Sequence, residues 1–307
     1  MKIILSRKGF DSANGGCASP ILSNTGEMFS LPIPEKFRPE TSIRYSDIRA
    51  GNYTLDQFVR DLAPKKTIEM EFAHLDPDLS AASRIRPNGW KPLFGQARAA
   101  ESHLQKHGVA SGDLFLFFGW FRQAEQRQGR FRFVKGAPDL HVVFGWLQVE
   151  LRIPSTDAER LIPWANDHPH YMRDRFTKHG ANDSIYVSRD ELILDEERVG
   201  LPGAGAFPRY TDLLCLTRPC VNECVNEMEN LRSWWRLPVW FQPAGKESRL
   251  SYHEDPNRWR SDGEDTFLRT VGMGQEFVLD CDHYPQAIGW AADLLKIAHL
   301  SELTQKR

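Results

Sequence analysis

The sequence has no apolar run long enough to span a bilayer, and its first twenty residues hold no signal-peptide core, because polar residues begin at Ser6. A cytoplasmic protein without a membrane partner is expected. There is almost no net charge: 39 lysines and arginines face 41 aspartates and glutamates, a formal −2. That excludes the broad positive field of a constitutive nucleic-acid binder and confines any nucleic-acid contact to local patches. Cysteine is scarce and odd in number, with 5 in all. Cys215, Cys220 and Cys224 form no paired C-x-x-C set, so reduced thiols are expected, not a disulfide framework or a zinc site. Walker A and dinucleotide fingerprints are missing. So are low-complexity linkers and any repeat beyond a doubled Phe-Gly-Trp. What remains is a globular chain of 307 residues, long enough for a sizeable core. Polar material near residues 155 to 183 has site candidates on both sides, so a single domain over residues 1–307 is expected.

The chain opens on an apolar run, Ile3-Ile4-Leu5, that suits a buried strand, and passes at once into a turning, charged loop from Arg7 to Gly16. Arg7 and Lys8 carry positive charge, Asp11 and Ser12 offer an acceptor and a hydroxyl, and Gly15 and Gly16 lack the Cβ that would keep a ligand away. The mixture suits an anionic ligand such as a nucleotide phosphate, and equally a surface turn that starts a sheet. A second strand is expected at Met28–Leu31. A helix should start at Thr54, where Gln57 completes a capping box and Tyr53 faces Phe58 as a hydrophobic staple.

The densest chemistry lies at His74-Leu75-Asp76-Pro77-Asp78. In an extended strand, His74, Asp76 and Asp78 share one face, and an imidazole with two carboxylates could hold a divalent cation or divide the work of base and orienting group. Asp-Pro-Asp is also ordinary turn chemistry. Gly95-Gln96 precedes a helix expected from Ala97 to His107 and capped by Gly108. Gln96 and His103 are expected to line the cleft of the first loop. A zinc pair of His103 with His107 is not expected, since no Glu-x-x-His arrangement accompanies it.

Two long strand signals follow, Asp113–Phe121 and Leu140–Val149, each containing Phe-Gly-Trp, as neighbouring strands with close backbone approach would. Between them Arg122, Arg127, Arg130, Arg132 and Lys135 form a basic hairpin suited to a phosphodiester backbone; such charges also discourage edge pairing. Trp164, His168, His170 and Tyr171 could contact a ligand, but packing and loop roles are the preferred reading. Ser184–Val187 and Leu192–Leu194 read as a hairpin pair, and Gly200–Phe207 as a second glycine-rich loop. Tyr252, His253 and Arg258 form a proton-transferring and anion-binding segment. Gln275 and Glu276 stand at the mouth of a late strand, and a closing helix is expected over residues 282 to 299.

Several of these segments resemble one family. Arg7-Lys8-Gly9-Phe10-Asp11-Ser12 with Gly15-Gly16, Ser19-Pro20-Ile21 and Leu31-Pro32-Ile33-Pro34 is similar to the start of the third group of nucleotide-modification-associated domains. His74–Asp78, Gly95-Gln96 followed by His103, Ser251-Tyr252-His253 and Gly274-Gln275-Glu276-Phe277-Val278 look like further motifs of it. The resemblance implies a bacterial or phage protein of DNA base hypermodification.

The expected architecture is α+β, a mixed, mainly antiparallel sheet with packed helices. The expected function is modification of a nucleotide or DNA base. Asp11, His74, Asp76, Asp78, His253 and Glu276 would supply acid–base chemistry or cation ligands. Arg7, Lys8, Ser12, Gly15, Gln96, His103, Tyr252, Arg258 and Gln275 would bind substrate. No dedicated metal set is assigned, and the reaction type stays open among hydrolysis, group transfer and phosphotransfer. Two rivals use the same residues: a non-catalytic reader of modified nucleic acid, built on the basic ribbon, and a metal-dependent nuclease, built on the acidic cluster.

Overall fold

The computed structural model describes residues 1–35, 43–68, 71–171, 182–217, 231–243, 250–272 and 274–305; Cys220 and Cys224 lie outside them. Strand outweighs helix. A nine-stranded sheet is built from β1 (Lys2–Arg7), β2 (Ser19–Leu22), β3 (Leu93–Ala97), β4 (Leu114–Arg127), β5 (Arg130–Phe133), β6 (Leu140–Pro154), β7 (Asp183–Ser188), β8 (Ala204–Ala206) and β9 (Glu276–Asp280). Its main path runs β9-β1-β4-β6-β7-β3, with β2 and β5 on β4 and β8 on β6. β1 and β2 run parallel to β4, while the other pairs are antiparallel. The architecture is thus α+β with mostly antiparallel sheets.

Ile3, Ile4 and Leu5 are fully buried, because β1 is covered on both faces; that is why its sequence is a continuous apolar run and not an alternation. The same holds for β4. On one face Phe115 and Phe117 pack with Phe94 and Tyr186. On the other, Phe118 meets Trp235 edge-on at 4.9 Å and lies against Phe277. The doubled Phe-Gly-Trp is a packing device. Gly119 lies opposite Val142, and β6 is bulged between Val143 and Gly145. A Cβ on Gly119 would sit 2.7 Å from the Lys8 carbonyl, and one on Gly145 would sit 2.8 Å from that of Gly205.

The sheet curls until its two outer strands approach. Gln96, on β3, donates from Nε2 to Oε1 of Glu276, on β9, at the opposite end of the strand path. The mouth of this curl is where the charged residues gather.

Helix α1 (Leu55–Leu62) begins as its capping box requires, with the Gln57 side chain accepting from the Thr54 N–H at 3.1 Å and Tyr53 packed edge-on to Phe58. Helix α2 (Arg98–Lys106) follows β3 directly, and Gly108 ends it at φ +63. Helix α3 (Gln286–Gln305) buries Ala287, Ala291 and Leu295.

Three local expectations fail. The second strand is Ser19–Leu22 and not Met28–Leu31, of which only Met28 forms a bridge, to Ile21: Pro20 is tolerated because the ladder of β2 is with β4 alone and its other side carries that single bridge. Ser184–Val187 and Leu192–Leu194 do not pair with each other, since β7 is inserted between β6 and β3 while Glu191–Leu194 pairs with Glu197–Pro202. Of the 200–207 glycines, Gly203 and Gly205 serve packing, since a Cβ on Gly203 would meet the Arg189 carbonyl at 2.2 Å and one on Gly205 the Trp146 ring at 2.6 Å, while Gly200 turns at φ +73 in open space.

Candidate functional site

A cleft of about 480 Å3 opens at the mouth of the curl, lined by the loop after β1 (Arg7, Lys8, Asp11), the His74–Asp76 turn, Glu35, His170 and the β3–α2 junction at Gln96–Arg98. A small three-stranded sheet positions part of it. Pro34–Glu35 pairs with Phe72–Ala73, which pairs with Ile43–Arg44, and the His74 N–H donates to the Ile33 carbonyl at 2.8 Å. Glu35 is thereby set beside His74.

The floor of the cleft is a pair of histidines, each held from behind by a carboxylate. His74 Nδ1 lies 2.9 Å from Glu35 Oε2, and His170 Nδ1 lies 2.7 Å from Asp183 Oδ1. Their Nε2 atoms face each other at 3.3 Å. Asp76 completes the group: Oδ2 lies 3.8 Å from His170 Nε2, while Oδ1 accepts from the Gly95 N–H at 2.7 Å and lies 3.4 Å from His168 Nε2. Burial would raise the Asp76 carboxyl, but the His168 hydrogen bond and the charges on His170, Lys8 and His168 outweigh it and hold the group far below the usual carboxylate range. Gly95 is indispensable here, since a Cβ would lie 2.2 Å from the His170 ring. His74, Asp76 and His170 each offer one donor atom, all within 4.8 Å of one another.

Asp78 does not join them. The strand ends at Ala73 and the chain turns at once, with the Asp76 N–H on the His74 carbonyl at 2.8 Å, so the expected shared face is lost. Asp78 instead takes a bidentate grip from Arg86 at 2.5 and 2.6 Å, behind the site.

The cationic residues of the first loop are committed to structure as well as lining the cleft. Arg7 Nη2 donates to the Gly272 and Gly274 carbonyls at 3.0 and 2.6 Å, anchoring the turn before β9. Burial lowers its pKa, partly offset by Asp11 and Glu276. Lys8 Nζ sits 3.2 Å from Glu276 Oε1 and over the Phe94 ring. Glu276 is fully buried beneath the cleft, and its Oε2 has no hydrogen-bond partner among the described residues. The Asp11 carboxylate closes its own turn by accepting from the N–H groups of Ala13 and Asn14. Ser12 is exposed at the tip of that turn and outside the cleft lining. Gly15 serves packing and not ligand approach: at φ +94, its Cβ position lies 2.2 Å from Phe10.

A second lobe of about 710 Å3 shares the wall formed by Gln96, Ala97, Arg98 and Gln275, and adds Tyr252, Arg258, Val271 and Gly272. Tyr252 stacks on His103 at 4.2 Å between ring centroids and is 36% exposed. Arg258 Nη1 donates to the Arg269 carbonyl at 3.1 Å. Arg98 and Tyr252, on opposite walls, both hold positive φ, +57 and +67, a conformation that non-glycine residues keep only where the surroundings enforce it.

Two further expected site residues lie off the cleft. His103 lies behind Tyr252, with Nε2 3.0 Å from Ser251 Oγ, and burial brings its pKa down to about 4. His253 is completely buried, with Nδ1 at 2.9 Å from the Ser251 carbonyl, Nε2 accepting from the Val271 N–H, and its ring against Phe277. Burial lowers its pKa to about 4. A folded-state pKa below the ordinary 6.5 means that the unfolded chain takes up the proton first. Its contribution is therefore complete above pH 6.5 and lost between pH 6.5 and 4. Urea melts should show stability falling by about 1.4 kcal/mol between pH 7.5 and 5.5 for this histidine alone; a flat profile would mean that another conformer of the ring accepts the charge.

Glu35, Arg98, His168, His170 and Asp183 are site residues that sequence reasoning missed. The closely spaced His168 and His170 were the available signal, but no local pattern ties them to a turn almost a hundred residues earlier. Arg98 escaped because it reads as an ordinary helix residue. As the first residue of α2 it lines both lobes, and its guanidinium has no partner among the described residues.

The basic hairpin forms as expected from β4 and β5, but away from the cleft lining. Arg127, Arg130, Arg132 and Lys135 are exposed; Arg127 pairs with Glu125, and Arg122 lies over Phe133. No helix among the described residues is long and apolar enough to cross a membrane.

Fold and site together define an α+β protein with a charged, two-lobed, histidine-floored cleft. The chain belongs to the nucleotide modification associated domain 3 family, whose model matches residues 2–280. No curated protein and no solved structure matches it.

Proposed function

We propose that the protein is an enzyme of nucleotide or DNA-base modification and that the two-lobed cleft is its active site. The observation that carries this reading is the carboxylate-backed histidine pair on the floor of a cleft whose walls offer an unpaired guanidinium and an exposed aromatic platform. His74, backed by Glu35, marks the reacting position on the floor, as a proton-transfer group or, if an ion is bound there, as its ligand. The Arg98 guanidinium, with the N–H groups of Ala99 and Ala100 beside it, receives a phosphate, and the exposed Tyr252 ring stacks a base. Arg7, Lys8 and Glu276 hold the floor and the 272–274 turn in place. Family membership supports a nucleotide-related substrate.

Calorimetric titration with a panel of nucleoside monophosphates and a single-stranded oligonucleotide tests the reading. Arg98→Ala and Tyr252→Ala should each weaken the best ligand about tenfold, in line with about 1–3 kcal/mol for one stacked base. Unchanged affinity in both variants would remove the cleft from consideration.

The exposed basic hairpin favours a second role for the chain, contact with a nucleic-acid backbone. Arg130→Ala with Arg132→Ala should then weaken duplex binding and flatten its salt dependence by about 2 in log–log slope, roughly 0.9 for each phosphate deprived of its arginine. If modified DNA is bound unchanged and only the hairpin substitutions matter, the protein is a reader and not an enzyme. Asp78, engaged by Arg86, is withdrawn from the acidic cluster of the nuclease reading, which keeps His74 and Asp76.

A further inference from the structure

We propose that His74 Nε2, His170 Nε2 and Asp76 Oδ2 hold a single first-row transition-metal ion of the zinc or iron(II) class, with an open coordination position facing the cleft. This assignment does not depend on the nucleotide reading, since it rests on the donor geometry alone.

Glu35 and Asp183 accept from the Nδ1 atoms, so the neutral rings direct their Nε2 lone pairs at each other across 3.3 Å. Two lone pairs held that close repel unless a cation lies between them, and the cation is either a proton or a metal. Three features favour the metal. Imidazole nitrogens bound at 2.0–2.1 Å in a tetrahedral site are about 3.3 Å apart. Asp76 Oδ2, at 3.8 Å from His170 Nε2, is too far for a hydrogen bond but suitably placed for a fellow ligand. The other oxygen of the same carboxylate is fixed by the Gly95 N–H and lies close to His168, which leaves Oδ2 to face the histidines. A carboxylate behind each ligating imidazole is the usual outer support of such a centre, because it fixes the tautomer and raises the basicity of the ring. Two imidazoles and one carboxylate suit zinc or non-haem iron(II) and not magnesium or calcium, which prefer oxygen ligands. Three protein ligands beside a cleft leave room for water or substrate at the fourth position.

The test uses full-length protein stripped with a chelator and titrated with ZnCl2 by calorimetry, and with CoCl2 by visible absorption. The wild type should take up one equivalent, develop the cobalt bands of a nitrogen- and oxygen-ligated site, and melt at a higher temperature with zinc present. His74→Asn and His170→Asn should each lower the zinc affinity at least a hundredfold. Glu35→Gln, which keeps every ligand, should lower it about ten- to a hundredfold, and it decides the matter should either asparagine variant fail to fold. A wild type with no saturable zinc uptake and no cobalt bands would overturn the proposal and leave a proton shared between the rings. So would uptake that none of these substitutions diminishes. Metal binding without nucleotide binding would uphold this inference while overturning the functional reading, and the converse would separate them the other way.

Discussion

His74→Gln should cut turnover by a factor of roughly a hundred to ten thousand, the range expected when a positioned acid or base is removed, and should leave the melting temperature nearly unchanged. The side chain is partly exposed at the cleft, and its contacts are with Glu35 and His170, so little of the core depends on it. Glutamine keeps a hydrogen-bonding group in reach of Glu35 but can neither carry a proton between substrate and solvent nor offer an imidazole nitrogen to a metal. The readout is mass spectrometry of the nucleosides released from DNA or nucleotide exposed to each protein. A variant that retains wild-type turnover would make His74 a support for the turn, while a variant that unfolds would make it part of the core.

The largest loss of stability should come from Glu101→Ala. Glu101 is fully buried in α2 and accepts from Arg152 Nε and Nη2 at 2.8 and 2.7 Å, from the Tyr186 hydroxyl at 2.8 Å and from Gln105 at 2.9 Å. Alanine would leave a phenol without its acceptor and a guanidinium without its counter-charge. Burial and the neighbouring carboxylate both keep that phenol protonated in the wild type. Removing one partner of a buried ion pair costs about 3–5 kcal/mol; the lower end applies because Arg152 is 30% exposed and can regain water. Urea denaturation should show a loss of about 3 kcal/mol, with Glu101→Gln losing less because the hydrogen bonds survive without the charge. A loss below about 1 kcal/mol would mean that water takes the place of the carboxylate. Function should suffer too, because α2 begins at Arg98, and its tilt fixes where that guanidinium points.

The legible parts of the fold are those set by local rules. The buried run of β1, the capping box of α1, the long aromatic strands β4 and β6 and the glycine end of α2 all follow from the residues in place, because each is decided within a few positions of itself. The failures share one cause. Ser19–Leu22 contains a proline that argues against a strand, and only its place at a margin of the sheet, with a ladder to β4 and a single bridge to Met28 on the other side, makes it acceptable. Ser184–Val187 reads like half of a hairpin because nothing local reveals that β3 and β6 take both its edges. The candidate site divides in the same way. Arg7, Lys8, Asp11, His74, Asp76, Gln96 and Gln275 stand out in the sequence and converge on the cleft. His170, Glu35 and Asp183 do not, since their chemistry arises from distance: His74 and His170 are 96 positions apart and meet only because the sheet curls. His253 misleads for the opposite reason. A histidine beside a tyrosine and an arginine has the composition of a proton-transfer site, yet its ring is enclosed against Phe277 and bonded to backbone.

Hydrogen–deuterium exchange, recorded with and without a saturating nucleotide or single-stranded oligonucleotide, tests the central claim most directly. The cleft reading predicts slowed exchange in the segments around residues 7–16, 74–76, 96–100 and 271–275, which are far apart in the chain and meet at the walls of the two lobes. Protection confined to the 127–135 hairpin, with those four segments unchanged, would contradict it.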